Sequence, residues 1–360
     1  MISLTIDTRM INSSGIGRVI QNLIPHFVND GSLNITCLGN YEILSKFSWF
    51  PEVNFIQLHS KIFSISEQME LPKKIPVCDI FWSPQYNVPI LPIRAKIRVT
   101  TIHDLLQLAF FQELSLIKKI YVKIVVNLCV LLSNKIVTVS LFSLDEILKY
   151  TVAKKEKIEL IYNAVEDNFV GNCNEKSGKE KYVLYVGNIK PHKNIKNALQ
   201  AFKTISQKIN NVKFYLVGKK EGFITGYGNI ASLIKDMEDK VIFTGYVSDD
   251  QLKEYYNSAS VFYFPSFYEG FGLPILEAMK YNVPILSSNA GSLPEIGGDA
   301  VLYCDPYNIN DMANKLGDIM TGKYVFSKRK YEEQLKKFSW EGSAKKYIDL
   351  FKNLYEKSNK

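Results

Sequence analysis

Short apolar runs with the character of buried strands recur along the whole chain, each followed by a stretch with helical spacing. In the first half they are "ISLTID", "NITCL", "DIFWSP", "RVTTI", "KIVTVS" and "IELIY"; in the second, "YVLYVG", "VKFYLVG", "KVIFTG", "SVFYFP" and "VPILSS". Such alternation predicts an α/β fold with parallel sheets built from βαβ units. The polar, Gly-, Asn- and Lys-rich stretch "DNFVGNCNEKSGKEK" (167–181) separates the halves as a linker does. With 360 residues available, two domains of ordinary size are expected. The reading is two facing Rossmann-like domains, 1–168 and 169–338. Open parallel sheets hold ligands beyond the carboxyl ends of their strands, so the site is expected in the cleft between the domains.

Composition removes several classes of function. Hydrophobic residues at 46% and charged residues at 22% describe a soluble globular protein with ample core. The opening "MISLTIDTRM" reaches Asp7 before a signal-like apolar stretch can form. The segment "IVVNLCVLLS" (124–133) is too short for a membrane span and is flanked by Lys119, Lys123 and Lys135, so a buried helix leading into "KIVTVS" is expected. Five scattered cysteines offer neither a disulfide framework nor a CxxC metal site, which fits a reducing cytoplasm. The four histidines lack H-x3-H or H-E-x-x-H spacing, which argues against a protein-bound catalytic zinc.

The net charge of +8 resembles a nucleic-acid signal until it is located. Residues 1–172 carry 17 Lys and Arg against 15 Asp and Glu, whereas residues 323–360 carry 11 against 5. A basic tail without RNA or DNA motifs implies at most weak contact with an anionic membrane surface, and no nucleic acid. A solvated helix face is the plainer account.

Chemistry concentrates in a few motifs. In "YEGFGLPILEAMKYNVPIL" (268–286), Gly270 and Gly272 argue for a loop that approaches something closely, and Leu273-Pro274 for a helix start. Glu269 then precedes the helix and Glu277 is expected on its first turn. A loop of small residues at a helix N-terminus suits a phosphate, whereas two carboxylates suit hydroxyl groups. Together they describe a nucleotide sugar. The alternative is a solvated Glu269 and a Glu277 that merely complements the helix dipole.

The stretch "YVGNIKPHKNIKNALQAF" (185–202) delivers Lys190, His192 and Lys193 from the Gly187 turn to a helix start, where they can clamp a diphosphate. "SSGIGRVIQNL" (13–23) has Ile20 where a dinucleotide fingerprint needs its third glycine. What remains is a flexible Gly15/Gly17 loop opening a helix headed by Arg18, fit for a phosphate or an acceptor, or else an ordinary turn. "TTIHDLLQL" puts His103 and Asp104 directly after an apolar strand, where α/β folds host chemistry.

These blocks resemble the family 4 retaining glycosyltransferases of the GT-B fold. The likeness runs over nearly the whole chain through "GIGR", "IHDL", "VTVS.FS..EI", "IYNAVE", "YVGNIKPHKN", "TGYV", "FYFPSFYEGFGLPILEAM" and "FSWEGSAKKY". The Glu269–Glu277 block matches the family's E-x7-E motif. The resemblance implies that Glu277 binds the ribose hydroxyls and Glu269 contacts the donor sugar. The backbone of Gly270, Phe271, Gly272 and Leu273 would hold phosphate and sugar, with Gly17 and Gly187 also in the nucleotide-sugar-binding set. Lys193 matches the family's diphosphate-binding lysine and His103 a histidine that faces the transferred sugar. His192 and Asn188 stand where many members have arginine, which implies a weaker or rearranged clamp.

The final helix (340–358, within a segment 339–360) would cross back onto the N-terminal, acceptor-binding domain. It carries Trp340, Tyr347, Leu350, Phe351 and Leu354 for an apolar side, with its lysines outward. The implied activity is transfer of a hexose or deoxyhexose, with retention, from a nucleoside-diphosphate sugar to a saccharide acceptor. No cofactor and no metal are expected, and the chain has no D-x-D motif. A polyprenyl-diphosphate-linked acceptor for O-antigen or capsule, met at the cytoplasmic face of the membrane, completes the expectation. GDP-mannose, dTDP-rhamnose and UDP-sugars remain open as donors. The rival readings are a GT-B-like sugar-nucleotide epimerase, a phosphorylase, for which the chain is too short, and a catalytically inactive sugar-nucleotide-binding partner subunit.

Overall fold

The computed structural model describes residues 1–110, 115–166, 180–218 and 233–360. Most of the expected linker, the 168/169 boundary and Cys173 lie outside these residues. The chain divides into one unit of Met1–Ala164 with Ser339–Lys360 and a second of Val165–Phe338.

The first unit is built from β1 (Ile2–Asp7), α1 (Ser14–Asp30), β2 (Leu33–Gly39), α2 (Tyr41–Leu44), β3 (Asn54–Gln57), α3 (Ile65–Lys74), β4 (Cys78–Ser83), β5 (Ala95–Ile102), α4 (Leu106–Ala109), α5 (Leu116–Leu132), β6 (Lys135–Thr138), α6 (Leu141–Tyr150) and β7 (Ile158–Leu160). Its strands pair in parallel in the order β3-β2-β1-β4-β5-β6-β7. Leu4, Ile6, Ile80 and Trp82 of the two central strands are wholly buried. Each such burial contributes about 1.5–3 kcal/mol before entropy is counted.

The last helix of the chain packs on this sheet. Its Tyr347 and Phe351 meet Phe27 of α1 and Trp82 of β4 in a cluster of rings with centroids 5.1–6.4 Å apart. The Tyr347 and Thr101 hydroxyls are hydrogen-bonded at 2.9 Å, and Ser343 Oγ donates to the Tyr162 carbonyl at 2.6 Å. Ser339 caps the helix by accepting the Gly342 N–H.

The second unit holds β8 (Lys181–Val186), α7 (Ile195–Ser206), β9 (Val212–Val217), β10 (Val241–Gly245), α8 (Asp249–Ser258), β11 (Val261–Phe264), α9 (Leu273–Lys280), β12 (Ile285–Ser288), α10 (Leu293–Gly297), β13 (Leu302–Cys304), α11 (Ile309–Met320) and α12 (Lys328–Leu335). The helix Trp340–Ser358 of the first unit is α13. Parallel strands run β10-β9-β8-β11-β12-β13. The order reverses between β8 and β11, so the loops leaving those strands diverge and open a crevice at the carboxyl edge.

Three expectations are corrected. Gly15 and Gly17 lie inside the first turn of α1, not in a loop before it. A Cβ on Gly17 would overlap the Ile11 carbonyl oxygen, whereas one on Gly15 would meet nothing within 4 Å. Gly17 therefore lets α1 sit against the turn after β1. Gly17→Ala is expected to cost about 1–3 kcal/mol by overpacking, and Gly15→Ala to gain about 0.5–1 kcal/mol from helix propensity. Urea denaturation checks both, and equal stability of the two variants would remove the packing argument.

Second, Glu277 is the fifth residue of α9 and lies on its second turn. Third, α5 is not a buried helix. Val122, Val126, Cys129 and Val130 face the core, but Ile117, Ile120, Tyr121, Ile124 and Leu131 are exposed. Only one side of an outer-layer helix meets the sheet.

Candidate functional site

The loop after β8 begins at Gly187, whose φ of +147° suits only glycine. A Cβ on Gly218, which follows β9 with φ +146°, would overlap the Gly187 carbonyl oxygen, so the two turns touch backbone to backbone. The loop then passes exposed Lys190 and makes one 3-10 turn, Pro191–Lys193. Asn194 ends that turn with a left-handed φ of 58° and a buried side chain. Its amide donates to the carbonyls of Pro265 at 3.0 Å and Pro306 at 2.8 Å. The Phe267 N–H donates to the His192 carbonyl at 2.7 Å. These bonds tie the loop after β8 to the loop after β11 across the crevice.

The tie brings Lys193 Nζ to 2.6 Å from Glu269 Oε1, although 76 residues separate them. Both side chains are mostly buried, at 17% and 12% exposure, and the ammonium lies 5.6 Å from the centre of the Phe264 ring. In so dry a setting the charge of each group acts far more strongly on a ligand than it would in water.

Beyond Glu269, Ser292 Oγ donates to the carbonyls of Glu269 at 3.0 Å and Phe271 at 2.6 Å. A trans peptide points its N–H opposite its C=O, so the amides of Gly270 and Gly272 are turned away from Ser292. Gly272 caps α9 with φ +115°, and Pro274 stands in the first turn. Farther along α9, Glu277 Oε2 accepts from the hydroxyl of wholly buried Tyr256 at 2.8 Å.

Of the residues expected to clamp a diphosphate, His192 brings no positive charge. Burial first, then Lys193 and Lys190, push the His192 pKa down to about 3. At neutral pH His192 brings no charge and can offer only an N–H. Because its folded pKa is depressed, His192 does not affect stability above the unfolded value near 6.5; below that the unfolded chain binds the extra proton. Stability should fall by up to about 1.4 kcal/mol per pH unit from about 6.5 toward 3, and His192→Asn should remove that component. Parallel denaturation curves check this, and identical pH slopes for the two proteins would overturn it.

In the first unit, His103 and Asp104 follow β5 at the carboxyl edge. A carbonyl only accepts, so His103 Nε2–H donates to the Pro84 carbonyl at 3.0 Å. Burial lowers the His103 pKa, which favours the neutral ring with its lone pair on Nδ1. The His103 carbonyl accepts from Ser143 Oγ at 2.9 Å, and Asp104 accepts the Leu106 N–H at 3.1 Å in a local turn before α4. The residues the sequence singles out thus fall into two groups. Gly17 and His103 belong to the first unit. Gly187, Lys190, His192, Lys193, Glu269, Gly270, Phe271, Gly272, Leu273 and Glu277 all lie on two loops and one helix of the second.

Residues 172–339 match the family model described as glycosyl transferases group 1. The match spans nearly the whole of the second unit. Among curated relatives, the O-antigen chain mannosyltransferase B of Escherichia coli is 35% identical over 182 residues, covering 48% of this chain and 46% of that protein. The O-antigen chain mannosyltransferase RfbU of Salmonella typhimurium is 32% identical over 225 residues, covering 61% and 59%. The chain thus spans about half the length of these relatives. Among solved structures, Anabaena HepE in complex with UDP-glucose superposes with a TM-score of 0.79 at 14% identity over 98% of this chain and 100% of that one. The lipopolysaccharide outer core galactosyltransferase WaaB gives 0.65 at 17% identity over 97% and 99%. The fold is of the GT-B type expected from the sequence.

Sequence reasoning missed the residues that support the candidate site. Asn194 carried a faint signal, since an Asn before an amphipathic helix tolerates the left-handed conformation. Tyr256, Phe264 and Ser292 carried none, because hydroxyls and rings in ordinary strands and helices do not announce their partners.

Proposed function

We propose that the chain is a retaining glycosyltransferase that moves a hexose or deoxyhexose from a nucleoside-diphosphate sugar to a saccharide acceptor of a bacterial surface polysaccharide. The observation that carries this reading is the 2.6 Å contact of Lys193 Nζ with Glu269 Oε1 at the β8/β11 switch point of the glycosyl transferase domain. A single dry cation beside a carboxylate suits a ligand that joins a diphosphate to a polyol. Lys193 meets the charge that develops on the departing diphosphate, helped by the loop amides and the start of α9. Glu269 takes hydroxyls of the sugar and Glu277 those of the ribose.

The first unit is assigned the acceptor, a saccharide linked to a polyprenyl diphosphate at the cytoplasmic leaflet. The names of the Escherichia coli and Salmonella relatives support mannose as the sugar and an O-antigen chain as the product. With no second carboxylate identified as a nucleophile, front-face attack by the acceptor hydroxyl is the favoured course.

The test is release of nucleoside diphosphate from GDP-mannose, dTDP-rhamnose and UDP-glucose, with and without acceptor, and the anomeric configuration of the product by NMR. Acceptor-dependent release with a retained anomer is expected. Epimerised sugar nucleotide without release would favour an epimerase instead. Exhaustive chelation should leave the rate unchanged, since Lys193 and the amides carry the leaving-group charge. Loss of activity that magnesium or manganese restores would overturn the metal-free course.

A further inference from the structure

We propose that the outer face of α5 docks the protein on an anionic lipid surface. The helix is apolar on its outer side as well as its inner side, yet only the inner side is covered. Ile117, Ile120, Tyr121, Ile124 and Leu131, spaced at one helical stripe, are between 51% and 81% exposed, with Leu116 beside them at 72%. Single exposed apolar residues are ordinary on a protein surface; a stripe of them along the first turns of one helix, taken up again at Leu131, is a contact surface.

Charge identifies the occupant. Lys118 and Lys123 flank the stripe on its two sides, and α5 itself contains no Asp or Glu. The turn between α6 and β7 extends the surface. Its Val152, 61% exposed, donates its N–H to Asn127 of α5 at 3.1 Å, and Lys157 reaches the Leu131 carbonyl at 3.3 Å. Exposed Lys154 and Lys155 lie on the same connection, and Lys149, paired with Glu146, stands in the last turn of α6. Residues 116–160 carry eight lysines against four acidic residues, which leaves the remainder of residues 1–172 net acidic.

A second copy of this chain would bring the same lysines face to face, which disfavours self-association. An anionic bilayer satisfies both features, burying the stripe while attracting the lysines, each of which adds to binding that salt weakens. With 17 residues and three lysines, α5 is built to lie in the interface rather than cross it. Its first turns, where most of the exposed residues lie, pack beside α4, which follows His103 at the carboxyl edge of the sheet. A lipid-linked substrate would be met on that edge.

The tail is a different surface. The Tyr347, Leu350 and Phe351 side of α13 is buried in the first unit, so the tail offers lysines without an apolar face.

Co-sedimentation of the full chain with vesicles of phosphatidylcholine, with and without phosphatidylglycerol, at low and high salt, tests the proposal. The wild type should bind the phosphatidylglycerol vesicles at low salt and less at high salt. Ile117→Ser/Ile120→Ser/Ile124→Ser should bind at least about tenfold more weakly. Its melting curve should not change, because these side chains are already in water. Lys345→Ala/Lys346→Ala should bind as the wild type does. Undiminished binding by the triple-serine variant, or a wild type that ignores anionic vesicles, overturns the proposal. So does a dimer that the triple-serine variant abolishes while vesicles are not bound. Vesicle binding is read without sugar transfer, so it stands or falls separately from nucleotide release.

Discussion

Lys193→Ala is expected to lower kcat by about 10²–10³, equivalent to about 3–4 kcal/mol of lost transition-state stabilisation. The expected effect on folding is smaller, about 1–3 kcal/mol, for leaving the mostly buried Glu269 carboxylate without its partner. The comparison is decisive because the ion pair is present before any ligand binds. A residue retained only for the Lys193–Glu269 pair would show its loss in stability; one retained for a departing diphosphate shows it in turnover. Initial rates beside urea denaturation separate the two. Activity surviving within a few-fold would move the diphosphate contact elsewhere, with exposed Lys190 next in line.

The second large effect is expected at Glu277, and its surroundings change how it should be tested. Glu277→Ala removes a carboxylate assigned to two ribose hydroxyls, and charge-assisted bonds of this kind contribute about 1.5–3 kcal/mol each, so donor affinity should fall about 100-fold or more. The same change strips the buried Tyr256 hydroxyl of its acceptor. Loss of that bond should cost about 1–3 kcal/mol of stability. Glu277→Gln keeps a carbonyl oxygen for Tyr256 and removes the charge; it should fold as the wild type does and still bind donor poorly. Calorimetric titration with the nucleotide sugar decides the matter, and unchanged affinity in the Gln variant would sink the ribose assignment.

Much of the scaffold is legible in the sequence because buried parallel strands need apolar runs, and β1, β2 and β4 to β12 have them. The edge strands β3 and β13 went unread. They are short, half of their neighbours are solvent or loop, and "NFIQ" and "LYC" carry no pattern long enough to register. The error over α5 has a related cause. Hydropathy along a helix records what its side chains would prefer, not how many of its sides have neighbours.

The site divides in the same way. Glycines with positive φ, a Pro in the first turn of α9 and basic residues before α7 are local requirements, so the backbone of the candidate loops was legible without a structure. The charge state of His192 was not, since it depends on burial and on two lysines whose positions the chain alone does not reveal.

By itself, then, the sequence determined two parallel α/β units, the glycine-bearing loops of the second that form the candidate site, and a basic tail helix. These follow from the 2- and 3.6-residue periods and from backbone conformations open only to particular residues. Tertiary structure alone decided the 2.6 Å meeting of Lys193 with Glu269 and the hold of Tyr256 on Glu277. It alone decided which side of α5 faces water. Those outcomes depend on strand order: reversal between β8 and β11 brings residues 76 positions apart onto one edge, and no local rule of sequence encodes a distance through space.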